Sequence, residues 1–190
     1  MRVIAGKYRS RIIKMPKGVN VRPTKDRIRE ALFGIIGEFV CGATVLDAFA
    51  GSGAFGIEAL SRGAKRVVFL DKDKRCIETI KENLKNLDIK TEAVSIIRMD
   101  VFKAFYVLEQ KKEKFDIVLF DPPYHKEMAK KSLIKLECHD IVSNYCIIII
   151  EHHKNDALPK ELNTITSYRT VRYGDICLTF YKVVQQRLPT

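Results

Sequence analysis

The segment Phe120-Asp121-Pro122-Pro123-Tyr124 carries the most chemistry in the chain. Two consecutive prolines fix the backbone and stop any strand ladder. They leave the Pro122 carbonyl as an acceptor beside the Asp121 carboxylate. Tyr124 adds an aromatic face on which a flat ring can stack. Two acceptors and a platform suit an exocyclic amine on a nucleobase. The lone pair of such an amine is delocalised into its ring. To attack a methyl sulfonium, the nitrogen must pyramidalise and take on positive charge. Acceptors on its N–H groups favour that geometry and stabilise the charge. Asp121 is the candidate proton acceptor, with bulk water as the other recipient. The plain alternative is an ordinary Pro-Pro turn. The aspartate before it, the tyrosine after it and the apolar run Phe115–Phe120 leading into it weigh against that alternative.

A second cluster is Val45-Leu46-Asp47-Ala48-Phe49-Ala50-Gly51-Ser52-Gly53-Ala54-Phe55-Gly56. Gly51, Gly53 and Gly56 satisfy G-x-G-x-x-G. Such glycines allow a tight turn and close approach of backbone to ligand at a helix N-terminus. A plain strand-to-helix turn would use them too. Asp71 falls 20 positions after Gly51, where a carboxylate can hold ribose hydroxyls. Asp73, by contrast, reads as an acid at the start of a helix, favoured by the dipole. Two cofactor classes fit so far, a nicotinamide dinucleotide and S-adenosylmethionine. Asp47 favours the second. A carboxylate near the turn repels a pyrophosphate and attracts the ammonium of a methionine moiety. Asp100 could accept from an adenine amino group or serve as an ordinary helix N-cap.

These residues need elements to position them. From Thr44 onward the pattern alternates strand with helix. Strands are predicted at Val45–Ala48, Val67–Leu70, Ala93–Arg98, Phe115–Phe120 and Cys146–Glu151. They are short, apolar and β-branched, as in buried parallel strands. Helices are predicted at Phe55–Arg62, Lys74–Leu87, Val101–Glu109 and Glu127–Leu136. Thr164–Arg172 and Ile176–Val184, joined at Tyr173-Gly174-Asp175, read as a hairpin. The order indicates a doubly wound α/β sheet with an antiparallel C-terminal pair. Ligands then belong at the carboxyl ends of strands one, two and four. Ahead of the sheet, Val3-Ile4-Ala5 and Arg11-Ile12-Ile13 flank a turn, a small β-hairpin. A helix capped by Thr24 follows, with Ile28, Ala31, Leu32, Ile35 and Ile36 on one face and Lys25, Arg29 and Glu30 on the other.

The chain has 190 residues and a net charge of +11. Residues 1–29 hold ten basic residues and one acidic residue, Asp26. A basic arm on a nearly neutral body suits a polyanion partner or a solvated edge, and charge alone does not separate them. Lys7, Arg9, Arg11, Arg22 and Lys25, with Tyr8 interleaved, would suit phosphate contacts and one stacked base. No apolar run approaches a membrane span, and the start has no apolar h-region. The five scattered cysteines read as reduced thiols of a cytoplasmic protein. Neither Cys nor His has zinc spacing, so no metal is expected.

At this point the chain resembles a family. It is similar to the bacterial 16S rRNA guanine-N(2) methyltransferases (RsmD-like), within the class I S-adenosylmethionine-dependent methyltransferases. The matching stretches are Arg2-Val3-Ile4-Ala5-Gly6, Arg22 to Phe33, Leu46 to Gly53, Gly56 to Gly63, Asp121 to Tyr124 and Tyr173-Gly174-Asp175. The resemblance implies a seven-stranded, mostly parallel Rossmann-like sheet over residues 23–190 behind a basic arm at 1–22. It implies cofactor contacts at Asp47, Phe49, Gly51, Gly53, Asp71 and Asp100, and catalytic contacts at Asp121, Pro122 and Tyr124. It further implies that the substrate is the assembled small ribosomal subunit with its 16S rRNA rather than free nucleotide; the enzyme itself is expected to be a monomer. The family usually has Thr after Tyr-Gly-Asp, where this chain has Ile176, which reads as strand packing. Glu151-His152 resembles the family's acidic strand end, and His152 reads as a polar strand-end residue rather than a catalyst.

Other readings keep a place. The target could be adenine N(6) or cytosine N(4). Carbon-5 methylation lacks its Pro-Cys nucleophile. A nicotinamide oxidoreductase is opposed by Asp47 and by the lack of a Tyr-x-x-x-Lys set. An idle RNA-binding module is opposed by the intact glycine loop and Asp-Pro-Pro-Tyr box.

Overall fold

A computed structural model describes residues 1–16, 18, 24–123 and 127–184. They fall into two compact units, one ending at Val101 and the other beginning at Phe102. The strands follow the order β3-β2-β1 in the first unit and β4-β5-β7-β6 in the second, with ranges given below.

In the first unit, β1 (Thr44–Ala48), β2 (Arg66–Asp71) and β3 (Val94–Arg98) are parallel, with β2 in the middle. Val45 and Leu46 of β1, and Val67, Val68, Phe69 and Leu70 of β2, are fully buried. A strand covered on both faces cannot alternate polar with apolar, hence the continuous apolar runs. Helix α1 spans Thr24–Ile36, α2 Ala54–Ser61 and α3 Lys74–Asn86. Helix α3 buries Cys76, Ile77, Ile80, Asn83 and Leu84, one stripe at helical spacing with a single amide set into it.

In the second unit, β4 (Phe115–Phe120) lies parallel to β5 (Val142–His153). Strand β7 (Ile176–Val183) pairs antiparallel with β5 on one side and with β6 (Ile165–Tyr173) on the other. Helix α4 (Val101–Gln110) precedes β4, and α5 (Met128–Glu137) links β4 to β5. Ile176, the departure from the family pattern, is buried at the start of β7.

Three expectations change. The N-terminal hairpin is a single antiparallel bridge, Arg2 to Ile12, rather than two strands. The Val3, Ser10 and Ile13 N–H groups bond across it to the Arg11, Val3 and Met1 carbonyls, while the Ile4, Ala5, Tyr8 and Lys14 N–H groups go to side chains of α2 and α3. Strand β5 runs longer than its apolar core, from Val142 to His153: Val142 pairs with Phe115 ahead of a register irregularity, and Glu151, His152 and His153 pair with β7 at the other end. On α1, Arg29 is not on a solvent face but only 1% exposed, and Phe33 is buried as well. The stripe of Ile28, Leu32 and Ile36 is buried as expected, while Ala31 and Ile35 are half-buried.

Candidate functional site

The turn after β1 is built from both ends. Asp47 is 2% exposed and one residue short of the strand end. Its Oδ2 accepts the Gly56 N–H at 2.9 Å, so it sits under the first turn of α2, where an acid is favoured by the dipole. Asp71, the last residue of β2, accepts the Gly51 N–H through Oδ2 at 2.9 Å. Its Oδ1 accepts the Asp73 N–H at 2.9 Å. One carboxylate thus ties the glycine turn to the end of the neighbouring strand.

The glycines serve different needs. Gly51 and Gly53 have φ of 57° and 78°, the left-handed region that only glycine enters freely. A Cβ on Gly51 would meet nothing closer than the Phe49 carbonyl at 4.0 Å, so this rim is open. A Cβ on Gly56 would lie 2.3 Å from the Phe69 ring, so Gly56 is set by helix-on-strand packing. Phe49 has φ 64°, a strained conformation for a bulky residue. Strain held in a loop by its surroundings is a mark of functional turns.

Asp73 is the N-cap of α3, accepting the Arg75 N–H at 2.8 Å. The Arg75 side chain, bonded to it, holds its carboxyl at about 2. Asp100 directly precedes Val101, the first residue of α4, and is half-buried. Both readings given to it from sequence therefore stay compatible with its place. Cys76 is pushed up to about 12, by burial first and the Asp71 charge second, so it is not a nucleophile at neutral pH.

In the second unit, β4 ends at Phe120 and Asp121 follows at its carboxyl end, half-buried. Pro122 is buried and Pro123 exposed. Phe120 pairs with Ile150, so Asp121 and Glu151 come one step later on neighbouring strands. Glu151 is 1% exposed. Tyr124 lies outside the described residues. His152 lies within β5 rather than at its end, paired with Cys177. Its ring is buried and meets Thr179 Oγ1 at 2.8 Å through Nε2, and burial lowers its pKa. A buried neutral ring of this kind packs within the strand pair.

The arm is docked rather than loose. Glu58, fully buried in α2, accepts the Ile4 N–H at 2.8 Å, the Ala5 N–H at 3.1 Å and Arg62 Nε at 2.8 Å. Ser61 accepts the Tyr8 N–H at 2.9 Å on Oγ and the Lys7 N–H at 2.7 Å on its carbonyl. Lys7, Arg9 and Arg11 are exposed. Lys7 Nζ stands 5.3 Å from the Tyr8 ring centre, and Arg11 donates to the Asn86 carbonyl. Arg22 lies outside the described residues. Sequence reasoning missed Glu58, Ser61 and Asn83. The signal for Glu58 was a lone acid in an otherwise apolar helix.

No three His, Cys, Asp or Glu among the described residues group as a metal site would require. No helix among them is long and apolar enough to cross a membrane.

Over residues 1–182 the chain matches the protein family described as Conserved hypothetical protein 95. Its relatives include Ribosomal RNA small subunit methyltransferase D of Haemophilus influenzae, 35% identical over 178 residues, covering 89% of this chain and 92% of the relative. The protein of the same name in Escherichia coli K12 is 30% identical over 182 residues, covering 96% and 89%. The chain belongs to the small subunit rRNA methyltransferase D family. The fold agrees. A solved Escherichia coli structure overlaps 98% of this chain and 99% of its own at TM-score 0.83 and 27% identity. A Haemophilus influenzae structure does so over 97% and 98% at TM-score 0.81 and 30% identity. The family match over residues 1–182 takes in the arm, the glycine turn and the Asp121–Tyr124 box together.

Proposed function

We propose that this chain transfers a methyl group from S-adenosylmethionine to the exocyclic N(2) amine of a guanine in 16S rRNA of the small ribosomal subunit. The observation that carries the reading is the Asp121-Pro122-Pro123 turn directly off the buried end of β4, in a chain at 35% identity to a small subunit methyltransferase D.

The first unit's residues fit the methyl donor. Gly51 leaves an open backbone rim, and Asp71 fixes that rim from β2. Asp47 places negative charge under the turn, favouring the methionine ammonium and opposing a pyrophosphate. Asp71 and Asp100 are the acceptors for ribose and adenine. Bound there, S-adenosylmethionine supplies an electrophilic methyl group on a sulfonium. Asp121 and the Pro122 carbonyl accept from the amine N–H groups, which localises the nitrogen lone pair. Tyr124 stacks on the base and holds it in plane. Asp121 then takes the proton released as the N–C bond forms. Lys7, Arg9, Arg11 and Arg22 contact phosphates of the folded RNA. A stacked target base would have to be extruded to reach the amine.

The test is methyl transfer from tritiated S-adenosylmethionine to undermethylated small subunits, followed by nucleoside analysis. Label in N(2)-methylguanosine is expected. Label in methyladenosine or methylcytidine, or none, overturns the reading.

A further inference from the structure

Asn83 is fully buried on the apolar stripe of α3 and touches two functional segments at once. Its Nδ2 donates to the Ser52 carbonyl at 2.9 Å, inside the Gly51-Ser52-Gly53 turn. The same Nδ2 donates to the Lys14 carbonyl at 2.9 Å, and its Oδ1 accepts the Lys14 N–H at 2.8 Å. One amide therefore holds the backbone of the basic arm on one side and the cofactor turn on the other. It makes three bonds, all to main chain. A buried amide costs stability unless its donors and acceptors are met, so this bridge is made as a unit or lost as a unit.

The arm side of the bridge is open to a ligand. Arg11 and Lys14 flank a surface cavity of about 470 Å³, completed by Ser10, Ile12 and Asn86. Ile12 is 64% exposed there. The charged tips of Arg11 and Lys14 rest on α3, on the Asn86 carbonyl and Glu82 respectively. An RNA phosphate would compete for both tips, and the Lys14 backbone would carry that change to Asn83.

We propose that Asn83 couples RNA engagement by the arm to the affinity of the cofactor turn, acting as a positioning residue for Ser52 rather than as a contact to either ligand. This rests on the reading above, in which the arm binds RNA and the turn binds the methyl donor. Coupling of this kind is reciprocal: the factor by which RNA changes cofactor affinity is the factor by which cofactor changes RNA affinity.

The experiment is a binding cycle. S-adenosylhomocysteine is titrated calorimetrically into the protein alone and into its complex with undermethylated small subunits. Subunit affinity is measured by filter binding with and without S-adenosylhomocysteine. The wild-type protein is expected to show a matching change of five-fold or more in both arms. Asn83→Asp keeps the acceptor for Lys14 N–H and loses both donor bonds, to the Ser52 and Lys14 carbonyls. It is expected to bind each ligand separately with the linkage reduced to below two-fold. Should that variant fail to fold, hydrogen exchange on the wild type decides. S-adenosylhomocysteine is expected to slow exchange of the Lys14 amide. Unlinked binding in the wild type, full linkage in Asn83→Asp, or a Lys14 amide indifferent to S-adenosylhomocysteine each overturns the coupling. Failure to bind S-adenosylhomocysteine or subunits at all overturns the reading beneath it as well, and is seen in the single titrations.

Discussion

Arg29 and Glu58 meet as a buried ion pair, Nε 3.5 Å from Oε2, with side chains 1% and 0% exposed. Burial lowers the guanidinium pKa and the Glu58 charge opposes that, so Arg29 stays charged at neutral pH. The pair joins α1 to α2, and the same carboxylate holds the Ile4 and Ala5 amides. Removing Glu58 leaves the buried Arg29 with only the exposed Asp26 carboxylate, 3.2 Å away, and takes the acceptor from the Ile4 and Ala5 amides. Glu58→Ala is expected to cost about 3–5 kcal/mol. Urea denaturation measures it, and a loss below about 1 kcal/mol would mean Arg29 finds water in the variant.

Asp121→Ala removes the proposed proton acceptor while leaving the glycine turn and its Asp71 anchor untouched. Methyl transfer should fall by far more than tenfold, with S-adenosylhomocysteine affinity changed less than about threefold. Single-turnover assays on subunits measure the first and calorimetry the second. Activity surviving within tenfold, about 1.4 kcal/mol of barrier, removes the role given to Asp121.

The motifs of the candidate site were legible because they are local. The Asp121–Tyr124 box and the Gly51–Gly56 turn each lie within a few residues, and backbone constraints write themselves into proline and glycine. The strand cores were legible because burial on both faces forces apolar runs. What sequence hid are contacts between distant residues. Glu58 reaches Ile4 across 54 positions and Asn83 reaches Lys14 across 69. Arg29 was misread because a charge is normally a mark of solvent, and only its partners explain its burial. Asn83 was invisible for the opposite reason: one amide on an apolar stripe looks like tolerated noise until both of its neighbours are known.

Gly6→Ala tests whether the docked arm matters to RNA. Gly6 has φ +80°, and a Cβ would lie 1.9 Å from the Ser61 carbonyl oxygen. The backbone at Ser61 cannot yield, because Lys7 N–H is bonded to that same oxygen at 2.7 Å. The variant should free the arm from α2. Filter binding to small subunits should weaken at least tenfold, while S-adenosylhomocysteine affinity in the absence of subunits holds. Replacing Arg9 and Arg11 together by Glu should give the same split by removing charge instead of position. Loss of cofactor affinity in both variants would make the arm a structural part of the cofactor turn.

Asp71→Ala removes the acceptor that fixes Gly51 and with it the candidate ribose contact. The Gly51 and Asp73 amides lose their partner, and the turn loses its tie to β2. S-adenosylhomocysteine affinity is expected to drop by tenfold or more in calorimetry, with the fold intact by circular dichroism. An unchanged affinity would mean that neither the tie nor the ribose contact operates. Asp73→Ala serves as comparison, since its carboxylate caps α3 on the exposed side and should leave cofactor affinity unaltered.

His152 makes stability depend on pH in a definable direction. Its pKa lies below the ordinary 6.5, chiefly through burial, with the His153 charge adding to that and the His153 carbonyl and Asp156 opposing it. The unfolded chain therefore binds this proton more readily than the folded one. Lowering the pH through 6.5 then favours the unfolded state, and the loss grows until the folded-state pKa is reached. Above pH 7 the residue contributes no such penalty. The urea midpoint of the wild type should fall between pH 7.5 and 5.5. His152→Gln keeps a polar side chain beside Thr179 but cannot titrate, so its midpoint should fall less over the same interval. Parallel curves for the two proteins would mean that the folded state admits the proton at His152 as readily as water does.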